Sequence, residues 1–127
     1  MNEINDAELI ESLRRQMTKS VARQVAAAGN LANLDTPGFK AVEPSFADAL
    51  DGQLAMMAAG KGGAKAPQDE APRIREIENA TARRDGNTVE MDRELLTLSR
   101  AAGDFSAAQT ALAAKFRLVR YAINEGR

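Results

Sequence analysis

The chain has 127 residues, a formal net charge of −1 and a hydrophobic content of 44%, enough for one ordinary domain. Near-neutral charge leaves no electrostatic footprint for nucleic acid or an acidic membrane surface. With neither cysteine nor histidine in the sequence, disulfides, thiolate metal sites and the commonest acid–base residue are excluded. Close to half of the hydrophobic content is alanine, and there are four Phe, one Tyr and no Trp. Larger apolar side chains are therefore thin for a compact globule and suited to long helices packed on helices.

The first predicted element is a helix from about Asp6 to Leu34. Asn5 or Asp6 can cap it, with Asp6, Glu8 and Glu11 early and Arg14, Arg15, Lys19 and Arg23 following, the order a helix dipole favours. Its apolar stripe runs Ile10, Leu13, Met17 and Val21, then fades to Ala28 and Ala32. The spacing of Ile10, Val21 and Ala32 resembles an eleven-residue repeat, which favours straight or slightly right-handed packing. No basic segment followed by an apolar run precedes the helix, so no cleavable signal peptide is expected.

The helix stops at an unusually specific stretch, Asn30-Leu31-Ala32-Asn33-Leu34-Asp35-Thr36-Pro37-Gly38-Phe39-Lys40. Asn30 and Asn33 are placed to satisfy carbonyls that have lost their intrahelical partners. Thr36 is pushed out of the helical region by Pro37, and Pro37-Gly38 suits a type II turn with Gly38 at positive φ. Phe39 is expected to anchor the exiting chain against a helix, with Lys40 solvated or paired to a neighbour.

Beyond this corner, Ser45 with Asp48 can cap a short helix carrying Phe46, Leu50, Leu54 and Met57. Gly60–Pro72 has the composition of a flexible linker. Arg73–Val89 reads as extended, with a turn at Asp85-Gly86. The predicted C-terminal helix is the strongest signal. Met91, Leu95, Leu98, Ala102, Phe105, Gln109, Leu112, Phe116, Val119 and Ile123 keep a strict 4-3-4-3 spacing, with Gln109 the one polar member. Glu90, Asp92 and Glu94 lie at its start, Lys115, Arg117 and Arg120 near its end, and Asn124 and Gly126 supply the stop. It is expected to span roughly 34 residues, or about 50 Å.

These elements predict an all-α dominated fold. Two long terminal helices pack as a coiled-coil-like pair, with a short helix, a flexible linker and a small extended segment between them. The organisation expected is an N-terminal helix over 1–34, a middle over 35–90 that includes the 60–72 linker, and a C-terminal heptad helix over 91–127. One such pair buries little against the cost of ordering it, roughly 1–2 kcal/mol per residue for backbone alone. Both helices are therefore expected to form seams with other chains in preference to a self-contained hairpin.

Catalytic chemistry finds no footing, so the chain is not expected to be an enzyme. Glu90, Asp92 and Glu94 alternate and do not share a helix face, and no Ser has a His or Cys beside it. A calcium loop over Asp85–Glu94 fails because Val89 and Glu90 stand where an oxygen ligand and a glycine belong. Asn79-Ala80-Thr81 is a chance match to a glycosylation sequon, and Lys61 and Lys65 lack the spacing of a phosphate loop. No cofactor or small-molecule ligand is expected.

The corner motif resembles the signature that closes the N-terminal helix in the bacterial flagellar axial proteins, the rod, hook and hook-associated group. Asn30, Ala32, Asn33, Thr36, Pro37, Gly38, Phe39 and Lys40 fill it, with Asp35 where Asn is common and Phe39 where Tyr is common. Asp85, Gly86, Asn87, Thr88 and Val89, continuing into the acidic start of the last helix, look like the lead-in segment of the proximal-rod members. The short middle region fits the same members. The resemblance covers about 1–55 and 73–127.

What it implies is a structural subunit of the periplasmic rod of the flagellar basal body. Such subunits polymerise helically, transmit torque and line the export channel with their terminal helices. They pass unfolded through the flagellar type III export apparatus. Partners implied are further copies of the chain, the adaptor FliE at the rod base and the rod protein FlgC. The interface would be built from Ile10, Leu13, Met17 and Val21 together with the apolar heptad positions from Met91 to Ile123. A different class, a cytoplasmic coiled-coil adaptor or export chaperone, would share the heptads but has no need of the Thr-Pro-Gly corner.

Overall fold

The computed structural model describes residues 6–46 and 72–125. Two long helices, α1 (Asp6–Ala32) and α2 (Met91–Glu125), pack against each other, and two short strands, β1 (Val42–Ser45) and β2 (Arg73–Glu76), lie between them in sequence. This is the all-α dominated helical pair expected. The pairing is made within one chain. Asp6 and Lys115 form an ion pair at 2.6 Å, Met17 and Val21 line one groove with Phe105 and Leu112, and Ala26 and Ala27 line another with Glu94 and Thr97. The helices therefore run antiparallel, and about ten residues of α2 beyond Lys115 extend past Asp6, roughly 15 Å at the helical rise.

The seam between the helices is made of small residues. Ser20 and Ala27 on α1, and Ala101 and Ala108 on α2, are buried, and small side chains let two helix axes approach closely. Ser20 satisfies its hydroxyl on the Gln16 carbonyl one turn back, at 2.9 Å. On α1 the buried line departs from the predicted stripe after Met17. It passes through Ser20, Ala27 and Asn30, leaving Val21, Ala28 and Ala32 exposed. On α2 the buried positions are Glu94, Ala101 and Ala108, with Leu98, Phe105 and Leu112 half-buried beside them. The heptad stripe thus meets α1 along one flank, and its other flank stays uncovered. The alanine seam decides this for Leu95, because a close approach leaves no room for it, whereas Phe116 is uncovered because it lies beyond the start of α1 at Asp6.

The strands form an antiparallel ribbon in which Val42 faces Glu76, Glu43 faces Arg75, Pro44 faces Ile74 and Ser45 faces Arg73. Glu43 and Arg75, directly opposite, are ion-paired at 2.9 Å, and Arg93 of α2 approaches the same carboxylate at 3.7 Å. The ribbon is held to α1 through Phe46, whose ring lies under the Lys19 ammonium at 5.4 Å and the Arg23 guanidinium at 5.6 Å. The short helix expected from Ser45 does not begin there. Ser45 closes β1, and Phe46 follows outside any helix. Leu50, Leu54, Met57 and the Gly-rich stretch from Gly60 to Ala71 lie outside the described residues. No helix among the described residues is long and apolar enough to cross a membrane.

Candidate functional site: a two-part elbow

The corner that closes α1 is an elbow built from two segments far apart in sequence, 30–42 and 83–89. The last turn of α1 tightens, so that the Asn33 and Leu34 amides donate to the carbonyls of Asn30 and Leu31, three residues back. This leaves the Gly29 carbonyl without its usual amide, and the Asn33 side chain donates to it at 2.8 Å. Asn33 also accepts from the Thr36 hydroxyl at 3.2 Å, and the Thr36 amide donates to the Asn33 carbonyl at 3.1 Å. The helix ends at Ala32, two residues before the expected Leu34.

Thr36-Pro37-Gly38-Phe39 then turns. The Phe39 amide donates to the Thr36 carbonyl at 3.2 Å, and Gly38 has φ +72°. That combination makes a type II turn, with Pro37 supplying the fixed φ and Gly38 the positive one. Nothing lies within 4 Å of where a Gly38 side chain would begin, so backbone conformation alone makes glycine necessary there. Phe39 is half-buried, and its carbonyl accepts from the Thr88 amide at 3.0 Å.

Asn30 serves a purpose other than end-capping. Fully buried, it donates to the Val42 carbonyl at 2.8 Å and accepts from the Val42 amide at 3.0 Å. One amide side chain thus completes both backbone groups of the first β1 residue and fixes the direction in which the chain leaves the helix.

The carbonyls freed at the helix end are satisfied from 50 residues away. Asn87, also fully buried, donates to the carbonyls of Asn33 at 2.9 Å, Leu34 at 3.2 Å and Thr36 at 2.8 Å. Its side-chain oxygen accepts from the Val89 amide at 2.7 Å, and its own amide donates to the Asp85 carboxylate at 3.0 Å. Arg83 adds a second donor to the Leu34 carbonyl. Around this centre the Gly38 amide donates to the Asp85 carbonyl at 2.8 Å. The Ala41 amide donates to the Thr88 hydroxyl at 2.8 Å and Lys40 to the Gly86 carbonyl at 3.0 Å. Gly86, at φ +81°, lies against Gly38, whose Cα is 3.5 Å from where a Gly86 side chain would begin.

Sequence reasoning placed Asp85–Val89 as the lead-in to the last helix and missed what Asn87 does. The available signal was a run of short polar residues between a turn and a helix start, the type that bonds to backbone. Among the described residues no group of three or more carboxylates could hold a metal ion.

The other sequence-predicted positions separate into two sets. Ile10, Leu13, Met17, Leu98, Phe105 and Leu112 are partly covered by the helix pair. Met91, Leu95, Ala102, Phe116, Val119, Ile123 and Val21 are exposed, Phe116 at 55% and Ile123 at 66%. On the same overhang, the hydrogen bond between Tyr121 and Glu125 raises the pKa of the phenol above its ordinary value. No family model and no curated protein sequence matches the chain.

Proposed function

We propose that the chain is a structural subunit of the proximal rod of the bacterial flagellar basal body, of the FlgB type. It polymerises helically to transmit torque and to surround the export channel. The observation that carries this is the uncovered flank of α2. Leu95, Phe116 and Ile123 lie on one heptad line that α1 leaves uncovered, with Ala102 and Gln109 between them, and Met91 and Val119 are exposed at the two ends of the other line. Large apolar side chains at such spacing form a helix-packing surface with no partner among the described residues.

The elbow supports the same conclusion from its geometry. Identical subunits in a polymer require one fixed angle between the helix pair and the segment that leaves it. Directional hydrogen bonds from Asn30, Asn33 and Asn87 supply such an angle. On this proposal the neighbours are further copies of the chain, FliE and FlgC. The subunit reaches the periplasmic rod unfolded through the flagellar type III export apparatus, and it needs no cofactor, nucleic acid or small-molecule ligand.

The test is electron microscopy of basal bodies from cells lacking the protein and from the same cells carrying Phe116→Asp. Rods should be missing in the first and unrestored in the second, with the variant still made. Normal rods in the deletion strain would overturn the proposal and favour a cytoplasmic adaptor or export chaperone.

A further inference from the structure

We infer that the elbow is a two-piece clasp that closes as one event, and that the corner after α1 stays open until Asn87 reaches it. Each piece holds what the other lacks. The carbonyls of Asn33, Leu34 and Thr36 belong to the first piece, and the donors they meet, Asn87 and Arg83, belong to the second. In the other direction the Gly38 amide needs the Asp85 carbonyl, the Ala41 amide needs the Thr88 hydroxyl, and the Thr88 amide needs the Phe39 carbonyl.

The bonds of Asn87, Thr88 and Ala41 share one buried centre, and the Gly38–Asp85 and Arg83–Leu34 bonds lie on its exposed rim. Asn87 is fully buried and Thr88 and Ala41 nearly so, so water cannot replace the partners one at a time. When the pieces part, every bond across them is lost together, which is the behaviour of a local cooperative unit. The Asn30 clamp on Val42 is different in kind, because both residues lie in the first piece, 12 apart. A chain is synthesised from its N-terminus, so residues 6–46 exist before Asn87 does. Until then the end of α1 has its own tight turns and the Asn33 side chain, and lacks the donors that Asn87 and Arg83 bring to the Asn33, Leu34 and Thr36 carbonyls. The span to be closed, up to 54 residues, costs little more than a shorter one, since closure entropy grows only logarithmically. Closure therefore waits for Asn87 and then completes.

The clasp is tested by native-state hydrogen exchange, read residue by residue by NMR on the full-length chain. In Asn87→Ala the amides of Gly38, Ala41 and Thr88, none of which bonds to the Asn87 side chain, should exchange faster by one common factor. That factor should be on the order of a hundredfold, because one fully buried side chain that bridges three carbonyls of the other piece is removed at once. The helix amides of Ala101 and Ala108 should stay near the parental rate. Faster exchange confined to Val89, whose acceptor is removed, would overturn the clasp in favour of independent bonds.

If Asn87→Ala loosens the whole chain, including Ala108, Lys40→Met decides. It removes only the exposed bond to the Gly86 carbonyl and should raise the same three amides several-fold in step. Unchanged or unequal rates there overturn the clasp. The measurement needs no assembly, so its failure and that of the rod proposal are separate results.

Discussion

The elbow and the distal end of α2 use opposite chemistry. At the elbow the largest fully buried side chains are polar, Asn30 and Asn87, and each meets backbone groups on short, aligned bonds. On the α2 overhang, Phe116, Leu118, Val119 and Ile123 are large, apolar and exposed. Hydrogen bonds are directional and fix an angle, whereas apolar burial is non-directional and rewards any complementary surface. The difference teaches where geometry is decided. The corner is completed within the chain, and the overhang presents an apolar surface that is left exposed among the described residues.

The largest effect expected is at the elbow. Asn30→Leu keeps the volume but strands the amide and carbonyl of Val42, at a cost of about 2–4 kcal/mol. Denaturant unfolding should show a midpoint shift of that size. A change under about 0.5 kcal/mol would mean that water already serves Val42 and that the corner is not fixed from inside. Next comes Phe105→Asp, which puts a charge into the half-buried groove beside Met17 and Leu112. It should lower stability by about 2 kcal/mol or more, measured in the same way.

The turn comes third. Gly38→Ala should cost about 1–2 kcal/mol through positive φ alone, and Gly38→Val more, since a branched side chain resists that region further. Pro37→Ala should be the mildest, roughly 0.4–1 kcal/mol. Thermal melts of the three should rank Val, Ala, then Pro37→Ala, and equal melting of Gly38→Val with the parent would remove the turn from the account.

Smaller again is Asp6→Asn, which removes the ion pair to Lys115 at the open end of the helices. Asp6 is well exposed, so about 0.2–1 kcal/mol is expected, shrinking further as salt is added. The smallest effect on the monomer sharpens the comparison most. Phe116→Asp should shift the unfolding midpoint by less than about 0.5 kcal/mol yet abolish higher-order assembly, followed by sedimentation and electron microscopy. Destabilisation as large as that of Phe105→Asp would show that the overhang is covered within the chain after all.

Periodicity and turn chemistry are local properties, and they were legible residue by residue. The 4-3-4-3 spacing marks α2 from Met91 to Ile123, within two residues of its observed end at Glu125. Thr36-Pro37-Gly38 dictates the type II turn, because no other residue pair suits those dihedral angles so well. Asn33 caps its own helix end as its position suggests.

Other features depended on what lies across space. A heptad stripe is wide enough to serve two seams, and its spacing does not say which flank meets α1. That was decided by Ser20 and Ala27, whose small size draws α2 in along Ala101 and Ala108 and leaves Leu95 outside, while Phe116 lies past the start of α1. An asparagine amide bonds equally well to a carbonyl four residues away or 54 residues away. Its sequence position therefore carries no record of its partner, and only the approach of the two pieces of the elbow gave Asn87 its three carbonyls.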